Sequence, residues 1–532
     1  MNKFDKYIFN FEKTGYFSKL AIDIVNENNA IKDFLQAFSS DENILKQIEF
    51  KQKQEIDRTL LCEVLINQYQ DITLSPEVQS NIEALKNKNT FTICTAHQPC
   101  IFTGPLYFIY KIAHAIKVAQ YCNQKFSQYH FVPVFYMGTE DNDLDEIGSV
   151  KIYQQAYLWK SEQQGASGRM MTDDMQTLKQ QILSLLDLNC PDEKWLYDLF
   201  NNAYKQNTLS QATRVIVNAL FEKYGLVVID ADEKKLKKNF TEVIKNELLH
   251  HKSFNLIQGT IKKLENSYSV QARGRQINLF YLKESLRERI EDSTTEWIVK
   301  NTNIHFDKTR LLNEINSYPE NFSPNVILRP LYQEMILPNV LFLGGGGELA
   351  YWSELKPIFE FYKIPYPIIQ LRNSFLIIDK KTKVKMSNAH LKIENLFEKM
   401  EDKIKQDIAS SEDIKQLSTE FEKIQNAFGK IENIAKGINS SLFISTKAHH
   451  AKFQKIQKRI EEKFYAHLKR NELNKINIFN NIKSHLFPSN SLQEREENLI
   501  PIFKMYGKSI IDTLVEYQEC LKSKFIVLVE KD

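Results

Sequence analysis

The pattern of apolar and polar positions between residues 90 and 380 alternates between two periods. Short runs of apolar and β-branched residues predict buried strands, and apolar residues spaced by three and four predict helices. Apolar strands that alternate with helices indicate an α/β domain around a largely parallel sheet. The predicted strands are 90–95, 130–138, 224–232, 339–348 and 366–379, and the predicted helices are 105–121, 209–223, 234–250 and 348–362.

A second pattern begins after residue 390, where Pro and Gly become rare and apolar residues recur in steps of four and three. This is the heptad spacing of a coiled coil. A break at 437–446 separates two such runs and predicts an antiparallel hairpin of two long helices. Burial of its apolar face against a second copy predicts a homodimer, and an arm packed on its own domain is the alternative. The apolar positions are Ile393, Leu396, Met400, Ile404, Leu417, Phe421, Ile424, Phe428, Ile431, Phe453, Ile456, Ile460 and Phe464.

The length of 532 residues favours several domains over one core. We expect an α/β core over 1–390, with a helical N-terminal part and an insertion at about 151–325. A coiled-coil hairpin is expected over 391–485, and a helical segment over 486–532 is expected to pack back on the core.

Composition narrows the class of protein. The net charge of +3, from 70 basic and 67 acidic residues, gives no overall field for nucleic acid. The polar start and the short apolar runs predict a cytoplasmic protein without a membrane span. Six scattered cysteines without CxxC spacing predict reduced thiols rather than disulfides or a structural metal.

The first stretch with candidate chemistry is "TAHQPCIFTGPLYFIYK", residues 95–111, at a predicted strand-to-helix junction. Ligands of doubly wound sheets bind beyond the carboxyl ends of the strands, where helix N-termini attract anions. Pro105 is placed to begin the helix and Thr103 to cap it. The alternative is a capped helix with a satisfied histidine. The candidate ligand contacts are His97, Gln98, Thr103, Gly104 and Tyr107.

The second stretch, "GTEDNDLDEIGSV" at 138–150, holds five carboxylates within seven residues. Mutual repulsion makes such a cluster costly unless a cation, a substrate amine or an arginine neutralises it. Its spacing does not fit a calcium loop. Two interpretations are open: the loop recognises an amine or a divalent metal, or it is simply a solvated loop. The candidate residues are Glu140, Asp141 and Asp143.

The third stretch, 327–359, contains an arginine, a Gln-Glu pair and four consecutive glycines. A guanidinium can grip a carboxylate or phosphate with two hydrogen bonds. Bare backbone at a strand end favours an anionic or sugar ligand, although glycines also mark simple turns. The candidates here are Arg329, Gln333, Gly344, Gly345, Gly346, Tyr351 and Trp352. "KVKMS" at 383–387 matches a lysine-methionine-serine signature of class I aminoacyl-tRNA synthetases, or forms a charged turn.

Together these motifs resemble the family of bacillithiol biosynthesis cysteine-adding enzymes, the cysteine ligases. The resemblance runs in order from about 90 to 515. It rests on "FTGPLYFIYK", "VPVFYMGTEDNDLDEI", "YGLVVIDAD", "INLFYLKESLRERI", "LRPLYQEMILPNVLFLGGGGELAYWSELK" and "LQEREENLIPIFKMYG". It implies a Rossmann-like core with connecting-peptide insertions and a C-terminal coiled coil that dimerises.

The resemblance also implies that cysteine is added to the amine of glucosaminyl-malate, forming an amide bond and yielding bacillithiol. Such a bond requires an activated carboxylate, so we expect ATP, with Mg²⁺ as its companion ion. His97, Asp141 and Asp143 are the catalytic candidates, and Arg329 is the candidate for holding malate. The alternatives are a non-catalytic nucleotide- or sugar-binding dimer and a nucleotidyltransferase without ligase activity.

Overall fold

The structure is a computed structural model that describes residues 3–293, 295–398, 408–471 and 473–532. Its strands, numbered in chain order, are β1 Phe4–Phe9, β2 Thr90–His97, β3 His130–Met137, β4 Ser149–Ile152, β5 Gln155–Leu158, β6 Val227–Asp230, β7 Leu279–Lys283, β8 Leu286–Asp292, β9 Trp297–Val299, β10 His305–Phe306, β11 Phe322–Pro324, β12 Asn339–Gly344, β13 Ile368–Leu371, β14 Ser374–Ile378 and β15 Phe525–Glu530.

The chain divides into two compact units. The larger unit comprises Lys6–Leu376 and Ser491–Val527, and the smaller unit comprises the described parts of Met1–Asp5, Ile377–Asn490 and Leu528–Asp532. Helices of the larger unit are Lys19–Val25, Asn29–Lys32, Asp41–Gln52, Arg58–Gln68, Pro76–Ala84, Tyr107–Lys125, Leu144–Ile147, Gln176–Leu183, Pro191–Ala203, Leu209–Phe221, Lys234–Lys237, Thr241–His250, Lys252–Leu264, Lys308–Ser317, Arg329–Ile336, Gly346–Trp352, Lys356–Tyr362, Gln493–Glu496, Leu499–Tyr506 and Ser509–Glu516.

A five-stranded sheet of order β13-β12-β2-β3-β6 forms the centre of the larger unit, and all its neighbouring strands are parallel. This confirms the predicted α/β fold with a parallel sheet. Its strands consist almost wholly of buried residues, because helices cover both faces. The register aligns His97 with Met137 and Met137 with Asp230, so the carboxyl ends lie together at one edge.

The hydrophobic core packs the central strands against the helices Asp41–Gln52 and Tyr107–Lys125. Ile44 and Ile48 of the first helix and Ala115 and Val118 of the second are fully buried in this cluster. The same helix Tyr107–Lys125 begins at the ligand edge of the sheet, so core packing fixes where its first residues lie.

Several predicted boundaries differ from the structure. Residues 366–379 form two strands, β13 and β14, and 348–362 forms two helices, Gly346–Trp352 and Lys356–Tyr362. The predicted insertion contains a five-stranded antiparallel sheet of order β10-β9-β8-β7-β11, which apolar periodicity did not reveal. Its strands are short and its polar side chains, such as those of β8, mask the alternation.

Helices of the smaller unit are Lys380–Asn388, Glu412–Ile438, Ser440–Asn471 and Leu473–Leu486. The two long helices form an antiparallel hairpin in which Phe421 and Phe428 contact Phe453. The break is far shorter than predicted, since extended Asn439 alone separates the two helices. The "KVKMS" residues lie inside the helix Lys380–Asn388, so the expected turn is wrong. Met400 and Ile404 lie outside the described residues.

Candidate active site

A cleft of about 770 Å³ opens at the carboxyl ends of the parallel strands, within the larger unit. Residues that follow β2, β3, β6, β12 and β13 line it, together with residues from the insertion and the Tyr16–Ser18 segment. The strand ends meet here because parallel strands present their carboxyl ends at one edge of the sheet. The sequence-predicted candidates on its walls are His97, Gln98, Tyr107, Glu140, Asp141, Arg329, Gly345, Gly346 and Tyr351.

Thr103 and Gly104 do not line the cleft. The helix begins at Tyr107, its N-cap is Leu106, and no side chain caps it, so the predicted Thr103 cap is wrong. Both residues have positive φ angles, 71° and 57°. The carbonyl of Gly104 accepts a hydrogen bond from Asn498 Nδ2 at 2.6 Å, so this loop is fixed by another part of the chain.

Four other candidates also lie outside the cleft lining. Asp143 is the N-cap of the short helix Leu144–Ile147, where its side chain accepts from the Glu146 N–H. Gln333 is fully buried, and Gly344 is buried at the end of β12. Trp352 is a core residue that stacks on Phe342. In the described structure Asp143 caps a helix, Gln333 belongs to a buried hydrogen-bond network, and Trp352 packs in the core.

His97 lies in the cleft wall at the end of β2. Its Nδ1 lies 3.1 Å from the carbonyl oxygen of Gln98, and its Nε2 lies 3.3 Å from the hydroxyl of Tyr107. Burial, reinforced by the nearby charge of Lys111, lowers the pKa of His97 to about 4. The imidazole is therefore neutral near pH 7, and it can orient a ligand or the Tyr107 hydroxyl without contributing a charge.

Arg329 supplies a guanidinium to the cleft from the start of a helix. One terminal nitrogen donates to Gln333 Oε1 at 3.1 Å, the other to the Tyr351 hydroxyl at 2.9 Å. The guanidinium also lies over the Tyr136 ring, 5.4 Å from its centroid. All three partners are neutral, and among the described residues Arg329 has no carboxylate partner. Gln333 and Tyr351 therefore fix the orientation of the guanidinium, and its positive charge remains available to a ligand in the cleft.

The buried Lys111 and the half-buried Glu348 form an ion pair that the sequence did not predict. Lys111 Nζ donates to Glu348 Oε2 at 2.5 Å and to the carbonyl of Ala96 at 2.6 Å. Glu348 also accepts the Gly345 N–H at 2.8 Å. Burial would raise the pKa of Glu348, but Lys111 and the Gly345 N–H lower it below its ordinary value, so the carboxylate is charged. The pair joins the ends of β2 and β12.

Two acidic side chains of the cleft, Glu140 and Asp232, each have a basic partner. Glu140 accepts from the buried Lys237 at 2.5 Å, and burial raises the pKa of Glu140 to about 6 despite this partner. Asp232 binds Arg169 through two hydrogen bonds of 2.6 and 2.8 Å. These charges are neutralised within the chain, so neither carboxylate requires a metal ion.

Asp141 is paired more loosely than Glu140 and Asp232. Its Oδ1 lies 3.6 Å from Arg287 Nη1, and its Oδ2 accepts from Gln98 Nε2 at 3.2 Å. Gln98 also donates to Glu146, so its amide bridges two carboxylates. The Asp141 side chain is 42% exposed, which leaves it accessible to a ligand amine.

Sequence reasoning missed several cleft residues, among them Lys111, Arg287, Glu348, Arg372 and Arg495. Four of them lie in the quoted stretches that carry the family resemblance, namely Lys111, Arg287, Glu348 and Arg495. Arg372 lies inside the predicted strand 366–379, which ends at Leu371 in the structure, so its place at a strand end was not predicted. Arg287 follows no predicted strand end, because the antiparallel sheet that presents it was not predicted.

The described residues contain no group of three or more His, Cys, Asp or Glu side chains arranged to hold a metal ion. No helix among them is long and apolar enough to cross a membrane. The cleft as built can bind anionic groups at its guanidinium groups and an amine at Asp141, and it can bring such ligands together.

Two family models match this chain, and both describe the same family. The family model described as "Bacillithiol biosynthesis BshC, N-terminal Rossmann-like domain" matches residues 6–373. The model described as "Bacillithiol biosynthesis BshC, C-terminal coiled-coil domain" matches residues 375–530. Together they span most of the chain.

Curated relatives give the same result. The protein named "Putative cysteine ligase BshC" from Flavobacterium johnsoniae is 37% identical over 97% of this chain and 98% of the relative. Relatives of the same name from Flavobacterium psychrophilum and Cytophaga hutchinsonii are 36% and 37% identical. These matches cover 97% and 96% of this chain, and 98% and 97% of the relatives.

Proposed function

The chain belongs to the BshC family of bacillithiol biosynthesis and is a ligase, and from that premise we propose that it joins cysteine to the amine of glucosaminyl-malate. The product is the amide bond that completes bacillithiol. The cysteine carboxylate and the glucosamine amine must meet in one site shielded from water, and the cleft at the sheet edge is the proposed site.

The guanidinium of Arg329 is the observation that carries the proposal. It lies in the cleft with Gln333 and Tyr351 as neutral hydrogen-bond partners and is held rigid by them. A charged donor that already has a fixed orientation binds a carboxylate at a smaller entropic cost. Malate carries two carboxylates, so the malate part of the substrate is the proposed ligand of Arg329.

The amine of the same substrate is proposed to lie near Asp141. An amine is protonated near neutral pH, and it must lose a proton before it can attack a carbonyl carbon. Asp141 is accessible and 3.6 Å from the nearest basic group, so it can attract the ammonium group. Glu140 lies beside it, with a pKa raised to about 6 by burial, and its proton affinity suits transient acceptance of a proton.

Activation of the cysteine carboxylate is proposed to use ATP. The nucleotide would take one carboxylate oxygen into an AMP leaving group with release of pyrophosphate, and AMP would leave when the amine bonds to the carbonyl carbon. The cleft fits an anionic nucleotide because it includes Arg372 and Arg495 in addition to Arg329. The acidic residues Glu140, Asp232 and Glu348 are each paired with a basic side chain. We therefore propose that Mg²⁺ enters with the phosphates and takes no ligand set from the protein.

The test is reconstitution with the purified full-length chain. Glucosaminyl-malate, cysteine, ATP and Mg²⁺ are supplied together, and mass spectrometry follows bacillithiol while a second assay follows AMP and pyrophosphate. The proposal expects thiol product only with all substrates present. ATP consumption without any thiol product favours the nucleotidyltransferase alternative, and product formed equally without ATP contradicts the proposed activation.

A further inference from the structure

The stretch Glu494–Asn498, from the C-terminal part of the larger unit, contributes to the cleft in three ways. Glu494 holds one cleft arginine, Arg495 lines the cleft itself, and Asn498 fixes the loop before the helix Tyr107–Lys125. These residues are about 400 positions from His97 in the sequence.

Glu494 is fully buried and forms a two-pronged ion pair with Arg372. The two hydrogen bonds measure 2.8 and 3.0 Å, and Glu494 also accepts the Phe375 N–H at 3.2 Å. Arg372 in turn lies over the ring of Tyr107, 5.3 Å from its centroid. Because a planar guanidinium held at two points cannot rotate, Glu494 fixes the orientation of Arg372 in the cleft wall.

Asn498 holds the loop that precedes the helix Tyr107–Lys125. Its Nδ2 donates to the carbonyls of Phe102 and Gly104 at 2.8 and 2.6 Å. The N–H of Leu106 donates to the carbonyl of Glu497 at 2.9 Å, which adds a backbone connection. Asn498 is fully buried, so these contacts are protected from water and fix where the loop ends and Tyr107 begins.

Arg495 is the member of this stretch that faces the cleft. It is exposed there, its Nη2 donates to the carbonyl of Tyr16 at 3.2 Å, and its guanidinium lies 5.6 Å from the centroid of the Phe17 ring. Among the described residues no carboxylate lies within ion-pair distance of Arg495.

The nearby acids are already engaged. Glu494 pairs with Arg372, and Glu496 pairs with Lys151 at 2.5 Å. Arg372, Glu494 and Arg495 together carry two positive charges and one negative charge, so one positive charge is uncompensated at the cleft wall. Its aromatic and carbonyl neighbours orient this charge without neutralising it.

We infer that Arg495 is a substrate-binding residue that takes a carboxylate or phosphate group on the Arg372–Tyr107 side of the cleft. Glu494 and Asn498 are positioning residues that act through Arg372 and through the loop. The inference rests on the proposed function for its choice of substrates. The anionic group belongs to the nucleotide, to cysteine or to glucosaminyl-malate, and the arms of the experiment distinguish these sources.

The experiment measures KM and kcat of the full-length enzyme for each of the three substrates, with the other two saturating. Arg495→Ala is expected to raise the KM for one substrate about tenfold to a hundredfold, as loss of a charged hydrogen bond does. Arg495→Lys is expected to raise this KM less than Arg495→Ala does. In Arg495→Ala the KM should also depend less on salt concentration, because the attraction between the guanidinium and the anionic group, which salt screens, is absent. Arg310→Ala, an exposed arginine of the same unit, is the matched control and leaves all three KM values unchanged.

Asn498→Ala tests the positioning role, with its fold checked by thermal unfolding. It is expected to raise the same KM as Arg495→Ala and to lower kcat in addition, because the loop it anchors leads into Tyr107. If Asn498→Ala unfolds the protein, the Arg495 variants still decide the inference, since that side chain is exposed.

Direct calorimetric titration of wild-type and Arg495→Ala protein with ATP, cysteine and L-malate separates this inference from the proposed function. Weaker binding of one of these probes by Arg495→Ala supports the inference even if no bacillithiol forms, in which case only the proposed reaction fails. Unchanged KM values and unchanged binding of all three probes overturn the inference, whether or not the enzyme makes bacillithiol.

Discussion

Apolar residues are buried in the central strands of the larger unit, whereas several apolar residues of the coiled-coil hairpin are exposed. In the larger unit the central strands are buried almost throughout, and side chains such as Phe91 and Leu341 are fully inaccessible. In the hairpin, Ile434, Ile438 and Ile444 are 65%, 70% and 68% exposed. Apolar residues of the central strands thus form a closed core, whereas several apolar residues of the hairpin lie on an open surface.

The comparison teaches that the apolar residues of the hairpin divide into two sets. Phe421 and Phe428 pack on Phe453 within the hairpin, so they stabilise the hairpin itself. The three isoleucines, by contrast, expose most of their surface. A homodimer through the hairpin therefore remains a prediction, and the exposed set, not Phe421 and Phe428, is its proposed contact surface.

The largest effect is expected from breaking a buried ion pair of the core. Lys51 and Glu334 are fully buried and 2.9 Å apart. Glu334→Ala should lower the free energy of unfolding by about 3–5 kcal/mol, because it leaves a buried charge without a partner. Glu432→Ala, which removes the half-buried partner of His450 in the hairpin, should cost about 1 kcal/mol or less. Urea denaturation measures both, and equal costs would contradict the distinction.

A somewhat smaller effect is expected in substrate binding at the cleft. Arg329→Ala should weaken binding of glucosaminyl-malate by about 2–4 kcal/mol, since it removes a positioned guanidinium. Arg329→Lys should lose less, because it keeps the charge without the planar fork. Isothermal titration calorimetry gives both values, with the exposed Arg310→Ala as the control. Unchanged affinity in Arg329→Ala would show that malate binds elsewhere.

The buried histidine His114 should make the core sensitive to acid. Its Nδ1 accepts the Asn373 N–H and its Nε2 donates to the Cys520 carbonyl, both at 3.1 Å, so the neutral ring is required. Burial lowers the pKa of His114 from 6.5 to about 4. A pKa lower in the folded state stabilises the fold fully above pH 6.5, and this contribution is lost as the pH falls toward 4.

His114→Gln keeps one donor and one acceptor and should remove about 2–3 kcal/mol of the stability loss between pH 7 and pH 4. Unfolding free energies measured across that range provide the test. His305→Gln, at a half-exposed position, is the matched variant and should leave the pH profile unchanged. An identical acid response of wild-type and His114→Gln protein would argue against the neutral buried ring.

The smallest effect on stability is expected from the exposed face of the hairpin. Ile434→Glu combined with Ile438→Glu should change the free energy of unfolding of the single chain by only about 0.5 kcal/mol per site. The double variant should nevertheless convert a dimer to a monomer in sedimentation velocity, because charge at an apolar interface prevents association. A wild-type chain that is already monomeric at micromolar concentration would refute the dimer.

The parallel sheet could be predicted from the sequence because its strands, such as 90–95 and 130–138, are continuous apolar runs separated by helical patterns. The antiparallel sheet of the insertion could not, because β8, with Arg287 and its acidic neighbours, does not alternate clearly. The periodicity of a segment indicates which of its residues are buried. It does not indicate which distant part of the chain covers them.

The candidate site shows the same limit. His97 and Arg329 stood at recognisable strand and helix ends, whereas Lys111 looked like an ordinary polar residue two turns into a helix. Its place in the site depends on Glu348, which is 237 positions away. The sequence predicts a ligand contact for the loop with Thr103 and Gly104 for a similar reason: its actual partner, Asn498, is close to it only in three dimensions.

Thiol production in cells that lack their own copy of the gene is the most direct test of ligation in this cleft. Bacillithiol and glucosaminyl-malate are quantified after expression of wild-type protein, Arg329→Ala, Asp141→Asn and the hairpin control Leu417→Ala, with protein levels checked for each. We expect wild-type protein and Leu417→Ala to restore bacillithiol, and the two cleft variants to lose it while glucosaminyl-malate accumulates. Full restoration by both Arg329→Ala and Asp141→Asn would contradict the account.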